Sequence, residues 1–223
     1  MDIWKTFVTL LSAYLLGAVP FGLIIVKLFS GQDIRTIGSG RTGGTNAGRA
    51  AGFAAGALTA VMDFVKAAMA VTIAQFILPD FPWVSAAAGL LAIAGHNYSI
   101  HLLERSSNGV VTLRGGAGGA PCLGATVALF PPALLIILPL ALIAVLLIGY
   151  ASVATLTIGI LSLVLFIIRF IQGACPWEYI IYGVGALILL IVALMPNIRR
   201  LLNGTERVVG LRAWLQKKQK PLQ

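Results

Sequence analysis

At 223 residues, 59% of them hydrophobic and only 10% charged, with a mean hydropathy of +0.96, the chain is too apolar for a soluble domain, where about 45–50% and about 25% are usual. The net charge of +9 does not mark a nucleic-acid binder. Seven of the 16 Lys and Arg residues (Arg199, Arg200, Arg207, Arg212, Lys217, Lys218, Lys220) fall in the last 25 positions, behind an apolar stretch, as in a cytoplasmic juxtamembrane tail. The two cysteines, Cys122 and Cys175, lie in or beside apolar runs, which excludes a disulfide framework and reads as buried thiols. The expected organisation is one all-α membrane-embedded domain over 1–223, with 199–223 as its basic tail.

The first apolar run, Ile3 to Phe29, is too long for a signal-peptide core and has no small-x-small cleavage site. It reads as an uncleaved helix kinked at Pro20. A polar, glycine-rich stretch from Gly31 to Arg49 follows. A second span is expected over Gly52–Leu78 and a third over Trp83–Leu103, made antiparallel neighbours by the Pro79-Asp80-Phe81-Pro82 turn. Residues Gly116–Ile148 would measure about 50 Å as one helix, against a hydrocarbon core of about 30 Å, so the run must break, at Pro131-Pro132. Further spans follow over Gly149–Ile171 and Trp177–Leu194, giving seven crossings. The loops with Arg35, Arg41 and Arg49, and with Arg105 and Arg114, share the cytoplasmic side with the tail, so the N-terminus lies outside and the C-terminus inside.

Seven of the 25 glycines lie between Gly38 and Gly56 and six between Gly109 and Gly124, in segments that this topology puts on one side. In Gly38-Ser39-Gly40-Arg41-Thr42-Gly43-Gly44-Thr45-Asn46, glycines let consecutive N–H groups converge on an anion. Ser39, Thr45 and Asn46 add neutral donors, while Arg41 and Arg49 add charge suited to phosphate. No Walker lysine or preceding strand supports a nucleotide P-loop. The bland alternative is a flexible loop whose arginines only obey the positive-inside rule. Arg114-Gly115-Gly116-Ala117-Gly118-Gly119 opens a helix, whose free N–H groups favour anions.

His96, after Gly95, is either a satisfied packing residue or a cavity-lining one, intramembrane polar groups usually serving the latter purpose. His101, about 140° further round the same expected helix, does not make a metal pair with it, and no metal site is expected. Asp63 and Lys66, three apart, share a helical face and either pair structurally or meet substrate. After the last span, Asn197 to Glu206 runs amphipathically, turning Asn197, Arg200 and Glu206 toward the loops.

Together, Ile37-Gly38-Ser39-Gly40 through Gly43-x-Thr45-Asn46-x-x-Arg49, Gly95-His96, the Gly-Gly-x-Gly of 115–118, and Asn197-Ile198-x-Arg200-Leu201-Leu202-x-Gly204-Thr205-Glu206 resemble the bacterial PlsY-type acyl-phosphate:glycerol-3-phosphate acyltransferases. The segment 13–22, Asp63-x-x-Lys66 and Tyr150-x-Ser152 look like that family's framework. The resemblance implies a seven-helix enzyme of the bacterial inner membrane. It would move a fatty acyl group from acyl phosphate to glycerol 3-phosphate in phospholipid synthesis, giving lysophosphatidic acid. It calls for no cofactor, and implies as partners membrane lipids and a soluble PlsX-type acyl-phosphate synthase. Carried over by position, it assigns catalytic roles to Ser39, Arg49, His96 and Asn197, glycerol 3-phosphate binding to Gly115, Gly116 and Gly118, and structural support to Glu206 beside Asp63 and Lys66. The phosphate set is completed by Gly38, Gly40, Arg41, Gly43, Thr45, Asn46 and Arg114. Four residues, at three places, depart from the pattern. Arg41-Thr42 replaces Asn-Pro, Ala117 replaces a lysine and Leu194 a histidine; Arg41 or Arg114 would supply the lost charge. A diverged relative with an altered donor or acceptor or with lost activity, or a transporter of a phosphorylated solute, is the competing reading.

Overall fold

The computed structural model describes residues 2–105, 109 and 111–213; Ser106 and the basic positions Lys217, Lys218 and Lys220 lie outside the described residues. The first apolar run forms two helices rather than one kinked helix. Helix α1 (Ile3–Ala18) starts on the Asp2 carboxylate, which accepts from Trp4 N at 3.0 Å, and α2 (Phe21–Ser30) follows a break at Val19-Pro20. Leu23 N, which would bond Val19 O in an unbroken helix, bonds Pro20 O instead at 3.0 Å. The carbonyls at the break turn to other elements: Ser99 Oγ donates to Ala18 O and Lys66 Nζ to Val19 O.

Helix α3 (Gly44–Ile77) starts eight residues before the expected second span, so the end of the expected glycine-rich loop is helical. Its 34 residues do not form one rod, because Gly52, at φ 88 and ψ 172, breaks it into a short limb carrying Asn46 and Arg49 and a long limb carrying Asp63 and Lys66. Helix α4 (Pro82–Asn97) is shorter than expected, stopping at Tyr98, whose carbonyl accepts from Tyr14 Oη at 2.9 Å. His101 therefore sits in a separate 3-10 turn, Ile100–Leu102, and its placement by helical angle relative to His96 does not apply. Next comes a two-stranded antiparallel ladder that no sequence signal announced, β1 (Leu103–Arg105) with β2 (Val111–Leu113), pairing Leu103 with Leu113.

The break at Pro131-Pro132 is where expected, between α5 (Gly119–Leu129) and α6 (Ala133–Ile148). Helix α7 (Ala151–Ile171) also matches. The last helix, α8 (Glu178–Leu202), runs eight residues past its expected end and through Pro196, so Arg199 and Arg200 belong to the helix and not to a tail. Among the described residues, four helical segments are long and apolar enough to cross a membrane: Ile3–Ser30, α3, α7 and α8. Their outward faces carry large apolar side chains such as Phe53, Phe76 and Ile171, as lipid contact requires.

Small residues set the helix spacing, as is usual where lipid removes the hydrophobic drive between helices. A side chain at Gly17 of α1 would overlap the Ala92 backbone of α4, one at Gly95 of α4 the Tyr14 carbonyl, and one at Gly124 of α5 the Phe64 carbonyl of α3. One cluster of polar groups inside the bundle is mutually bonded. Tyr182 Oη donates to Cys122 O at 2.9 Å and Thr126 Oγ1 to Ser162 Oγ at 2.9 Å, under a Phe166 ring packed edge-on against Tyr182. Both cysteines are free thiols, Cys122 buried and Cys175 half-buried.

Two predictions arise here. Gly17→Val must separate α1 from α4 and should lower unfolding free energy in detergent by about 1–3 kcal/mol, the usual cost of overpacking; an unchanged melting curve would contradict the close approach. The second concerns Asp33, which leads into the loop at 37–43. Hydrogen bonds from the Arg35 guanidinium and backbone hold its carboxyl at about 2, below its ordinary 3.8. A depressed value stabilises the fold above the ordinary pKa and ceases to do so as pH falls through the folded one. The pair is about one-third exposed, so Asp33→Asn should cost under about 1 kcal/mol near neutrality. That gap in melting temperature should close as the pH is taken from about 4 to about 2.

Candidate active site

The loop 37–43 is held from behind by one side chain. Asn46 Nδ2 reaches the carbonyls of Ile34, Ile37 and Arg41 at 3.2, 2.9 and 2.9 Å, while its Oδ1 accepts from Ser39 N at 3.1 Å. Asn46 is 2% exposed and its amide is committed, so it shapes the loop rather than offering a free donor to an anion. Gly38 and Gly40 take φ of 56 and 70, the left-handed region open to glycine. Ser39 Oγ accepts a long bond from Arg41 N at 3.4 Å.

The two glycine segments meet, as the expected topology required. Thr42 N donates to Gly115 O at 3.4 Å, and Arg41 Nη1 donates to Gly116 O at 3.2 Å. The second segment lies against the end of α4: Gly116 N donates to His96 O at 2.9 Å, and a side chain at Gly116 would overlap the His96 ring. The helix opened by this segment starts later than its sequence suggests, with Gly118 at φ 84 as N-cap of α5 and Cys122 N making the first bond to Gly118 O. Gly119 and Ala120, in its first turn, line the cavity described next.

From α8, Asn197 Nδ2 donates to Glu206 Oε1 at 2.9 Å and Arg200 Nε to Oε2 at 3.0 Å. Glu206, with its side chain 5% exposed, thereby folds the chain beyond α8 back over the site. Asn197 Oδ1 and Ser152 Oγ, both buried at the cavity wall, have no hydrogen-bond partner among the described residues.

Two adjoining cavities result, of about 160 and 320 Å³. Both are lined by Ser39, Arg41 and Arg200. The smaller also takes Thr45, Arg49, Asp63, His96, Ala117, Ser152, Thr155, Leu194, Asn197 and Arg207; the larger takes Gly40, Asn97, Arg114, Gly115 and Gly116. Gly43 and Asn46 also border the smaller cavity, whereas Gly38 borders neither. Ser152, Thr155 and Arg207 had not been read as site residues. Ser152 was visible only as framework, and Arg207 as one of many tail charges.

The charges are unbalanced. Of the carboxylates at the walls, Asp63 is paired with Lys66 at 2.8 Å and Glu206 with Arg200 at 3.0 Å. Lys66 Nζ also meets His96 Nδ1 at 3.1 Å, a contact across 30 residues of sequence that joins the expected Asp63–Lys66 pair to the site. Among the described residues the Arg41 guanidinium is held by carbonyls alone: besides Gly116 O, its Nη2 donates to Ala193 O. Burial and the nearby Arg200 pull its pKa below the ordinary guanidinium value, a cost that a bound anion would offset. Arg114, by contrast, is 62% exposed and 3.9 Å from Glu104. Among the described residues no cluster of three or more metal-ligating side chains occurs.

A family model described as glycerol-3-phosphate acyltransferase matches residues 7–204. Among curated relatives, a glycerol-3-phosphate acyltransferase of Thermus thermophilus is 36% identical over 206 residues, 92% of this chain and 96% of its own. Glycerol-3-phosphate acyltransferase 3 of Dehalococcoides mccartyi is 36% identical over 220 residues, covering 93% and 97%. The crystal structure of PlsY, an integral membrane glycerol 3-phosphate acyltransferase, in its glycerol 3-phosphate form superposes with a TM-score of 0.80 at 32% identity, covering 94% of this chain and 98% of that one. Its lysophosphatidic acid form gives 0.77 at 31% identity, covering 92% and 95%. With a cation-rich pair of cavities on the same helical frame, this chain belongs to the glycerol-3-phosphate acyltransferase family of integral membrane enzymes.

Proposed function

We propose that the enzyme transfers an acyl group from acyl phosphate to glycerol 3-phosphate, releasing phosphate and giving lysophosphatidic acid, in the bacterial inner membrane. The observation that carries this reading is the pair of cavities sharing Ser39, Arg41 and Arg200. A reaction between two phosphorylated substrates needs two anion sites close enough for a hydroxyl to meet a carbonyl, and a shared wall of cations suits that need. The PlsY structures in glycerol 3-phosphate and lysophosphatidic acid forms support the acceptor and the product. Acyl phosphate fits as donor because it is a mixed anhydride whose phosphate departs as an anion. The acceptor hydroxyl attacks the acyl carbonyl directly, and its proton leaves with the released phosphate, itself a base. A PlsX-type synthase would supply the donor.

In this scheme Arg41 takes the role of the missing motif lysine. Its guanidinium is fixed between Gly116 O and Ala193 O, beside Ala117 and Leu194, the two positions where the family's lysine and histidine are absent. Arg114 stands further toward solvent. Arg49 and Arg200 complete the phosphate contacts, Ser39 donates to phosphate or carbonyl, and Asn197 orients the acceptor, with Glu206 fixing Asn197 and Arg200.

The topology is part of the proposal: one domain, seven crossings, N-terminus out and C-terminus in. The ends of α4 and α8 and the starts of α3, α5 and α7 all border the site, which suits a chain that alternates direction at every helix. The basic loops favour the cytoplasmic side for that face.

The decisive assay offers the purified protein glycerol 3-phosphate with acyl phosphate, acyl-CoA or acyl carrier protein as donor. Acylation from acyl phosphate alone is expected; use of another donor in its place would favour the diverged-relative reading. Arg41→Ala should raise KM for one phosphorylated substrate by about 10–100-fold, the worth of a charge-assisted hydrogen bond, with Arg114→Ala milder. Ser39→Ala should cut kcat on the order of 10²-fold without an acyl-enzyme ever being trapped in the parent. Labelling of single cysteines placed at 39 and at the exposed position 114, in a background lacking Cys122 and Cys175, should report one membrane face, and opposite faces would refute the shared site.

A further inference from the structure

Lys66 Nζ lies 2.8 Å from Asp63 Oδ1, 2.8 Å from Val19 O and 3.1 Å from His96 Nδ1. An ammonium has three protons and no lone pair. Its contact with Nδ1 is a hydrogen bond only if that nitrogen presents a lone pair, so the imidazole carries its proton on Nε2. The competing arrangement, Nδ1–H donated to Asp63 Oδ1, spans a longer 3.4 Å. It would also set an N–H against the ammonium 3.1 Å away. The opposite edge of the ring lies against Gly116, in the glycine segment that borders the site. The His96 side chain is 4% exposed, a side chain at Gly116 would overlap Nε2, and His96 lines the smaller cavity together with Arg41. Among the described residues no hydrogen bond engages Nε2, its imidazole bonding through Nδ1 alone.

We infer that Lys66 locks His96 in the Nε2–H tautomer, and that His96 serves as a fixed hydrogen-bond donor to an anionic substrate oxygen in the smaller cavity. It is thus not a general base, having no lone pair on the nitrogen that faces the substrate. Asp63 and Lys66 become positioning residues: the carboxylate holds the ammonium and the ammonium sets the tautomer. The substrate role rests on the acyl-transfer reading above, whereas the tautomer does not.

The chain has two histidines, His96 and His101, so a ¹⁵N-histidine-labelled sample in detergent, compared with a His96→Gln sample, assigns the ring by difference. Long-range proton–nitrogen correlation should show His96 with an unprotonated Nδ1 and a protonated Nε2. A protonated Nδ1, whether in the other tautomer or in an imidazolium, overturns the inference. This readout needs no substrate, so it stands even if the protein acylates nothing. In kinetics, His96→Ala should lose on the order of 10²-fold in rate, while His96→Gln, whose amide can still donate, should recover most of it. Equal loss in both, with the parent's melting temperature kept, overturns the donor role. A rise in KM for glycerol 3-phosphate in His96→Ala marks its phosphate as the partner, and a fall in kcat alone marks the acyl carbonyl oxygen. Where a variant does not fold, the parent spectrum decides.

Discussion

A full positive charge inside an apolar bundle is the constraint from which much of this structure follows. Lys66 is 2% exposed, and a lone charge at the centre of a membrane helix costs about 2.5–3.5 kcal/mol even on the mild insertion scale. Its carboxylate partner is three residues back on the same helix, and that alone leaves two ammonium protons unsatisfied. The proline break between α1 and α2 releases the Val19 carbonyl, and α4 brings His96. Three pieces of chain thus meet at one nitrogen. The same histidine continues outward, its carbonyl taking Gly116 N and its ring filling the space that only a glycine leaves. The buried charge and the glycine segment at the cavity wall are therefore one connected structure.

The site itself inverts the logic of the bundle. Inside, every charge is matched; at the cavities, Arg41, Arg49 and Arg207 face carboxylates already engaged elsewhere. Such a surplus repels itself, as at Arg41, whose guanidinium is buried, crowded by Arg200 and, among the described residues, bonded by carbonyl oxygens alone. Anchoring by carbonyls fixes the direction of the guanidinium without neutralising it, which suits the phosphate role proposed for it.

How much of this was legible depended on the range of the signal. Proline and glycine act locally, so a bend at Pro20, though not the full break found there, and the break at Pro131-Pro132 could be read, and the crowding of glycines pointed to two segments that do meet, through Thr42 and Gly115. Helix ends set by tertiary contacts were not legible. Nothing local stops α4 at Asn97; Tyr14, 84 residues away, holds the Tyr98 carbonyl. Helix α8 runs on through Pro196 to Leu202, where Glu206 closes over it and ties down Arg200. Asn46 looked like an anion donor by composition, and only the geometry shows its amide spent on three carbonyls. The Lys66–His96 contact spans 30 residues and two helices, which no spacing rule reaches. Ser152 and Arg207 carry ordinary residue types in unremarkable surroundings, and only the fold brings them to the cavity.

The placement of the site at helix ends answers a problem of phases. In the proposed reaction the acyl chain belongs to the apolar interior, while glycerol 3-phosphate belongs to water. A site buried at mid-membrane would strip the phosphate of solvent at great cost, and one on a soluble domain would strand the chain. Helix ends lie at the boundary, and there the backbone has unpaired N–H groups and loops that can hold arginines in fixed directions. The breaks at Pro20 and Gly52 serve the same end. The first frees a carbonyl for Lys66, and the second lets the short limb of α3, with Asn46 and Arg49, depart from the line of its membrane-spanning limb and lie along the site. The two departures from regular helix thus fall where the apolar frame has to become a polar, charged wall.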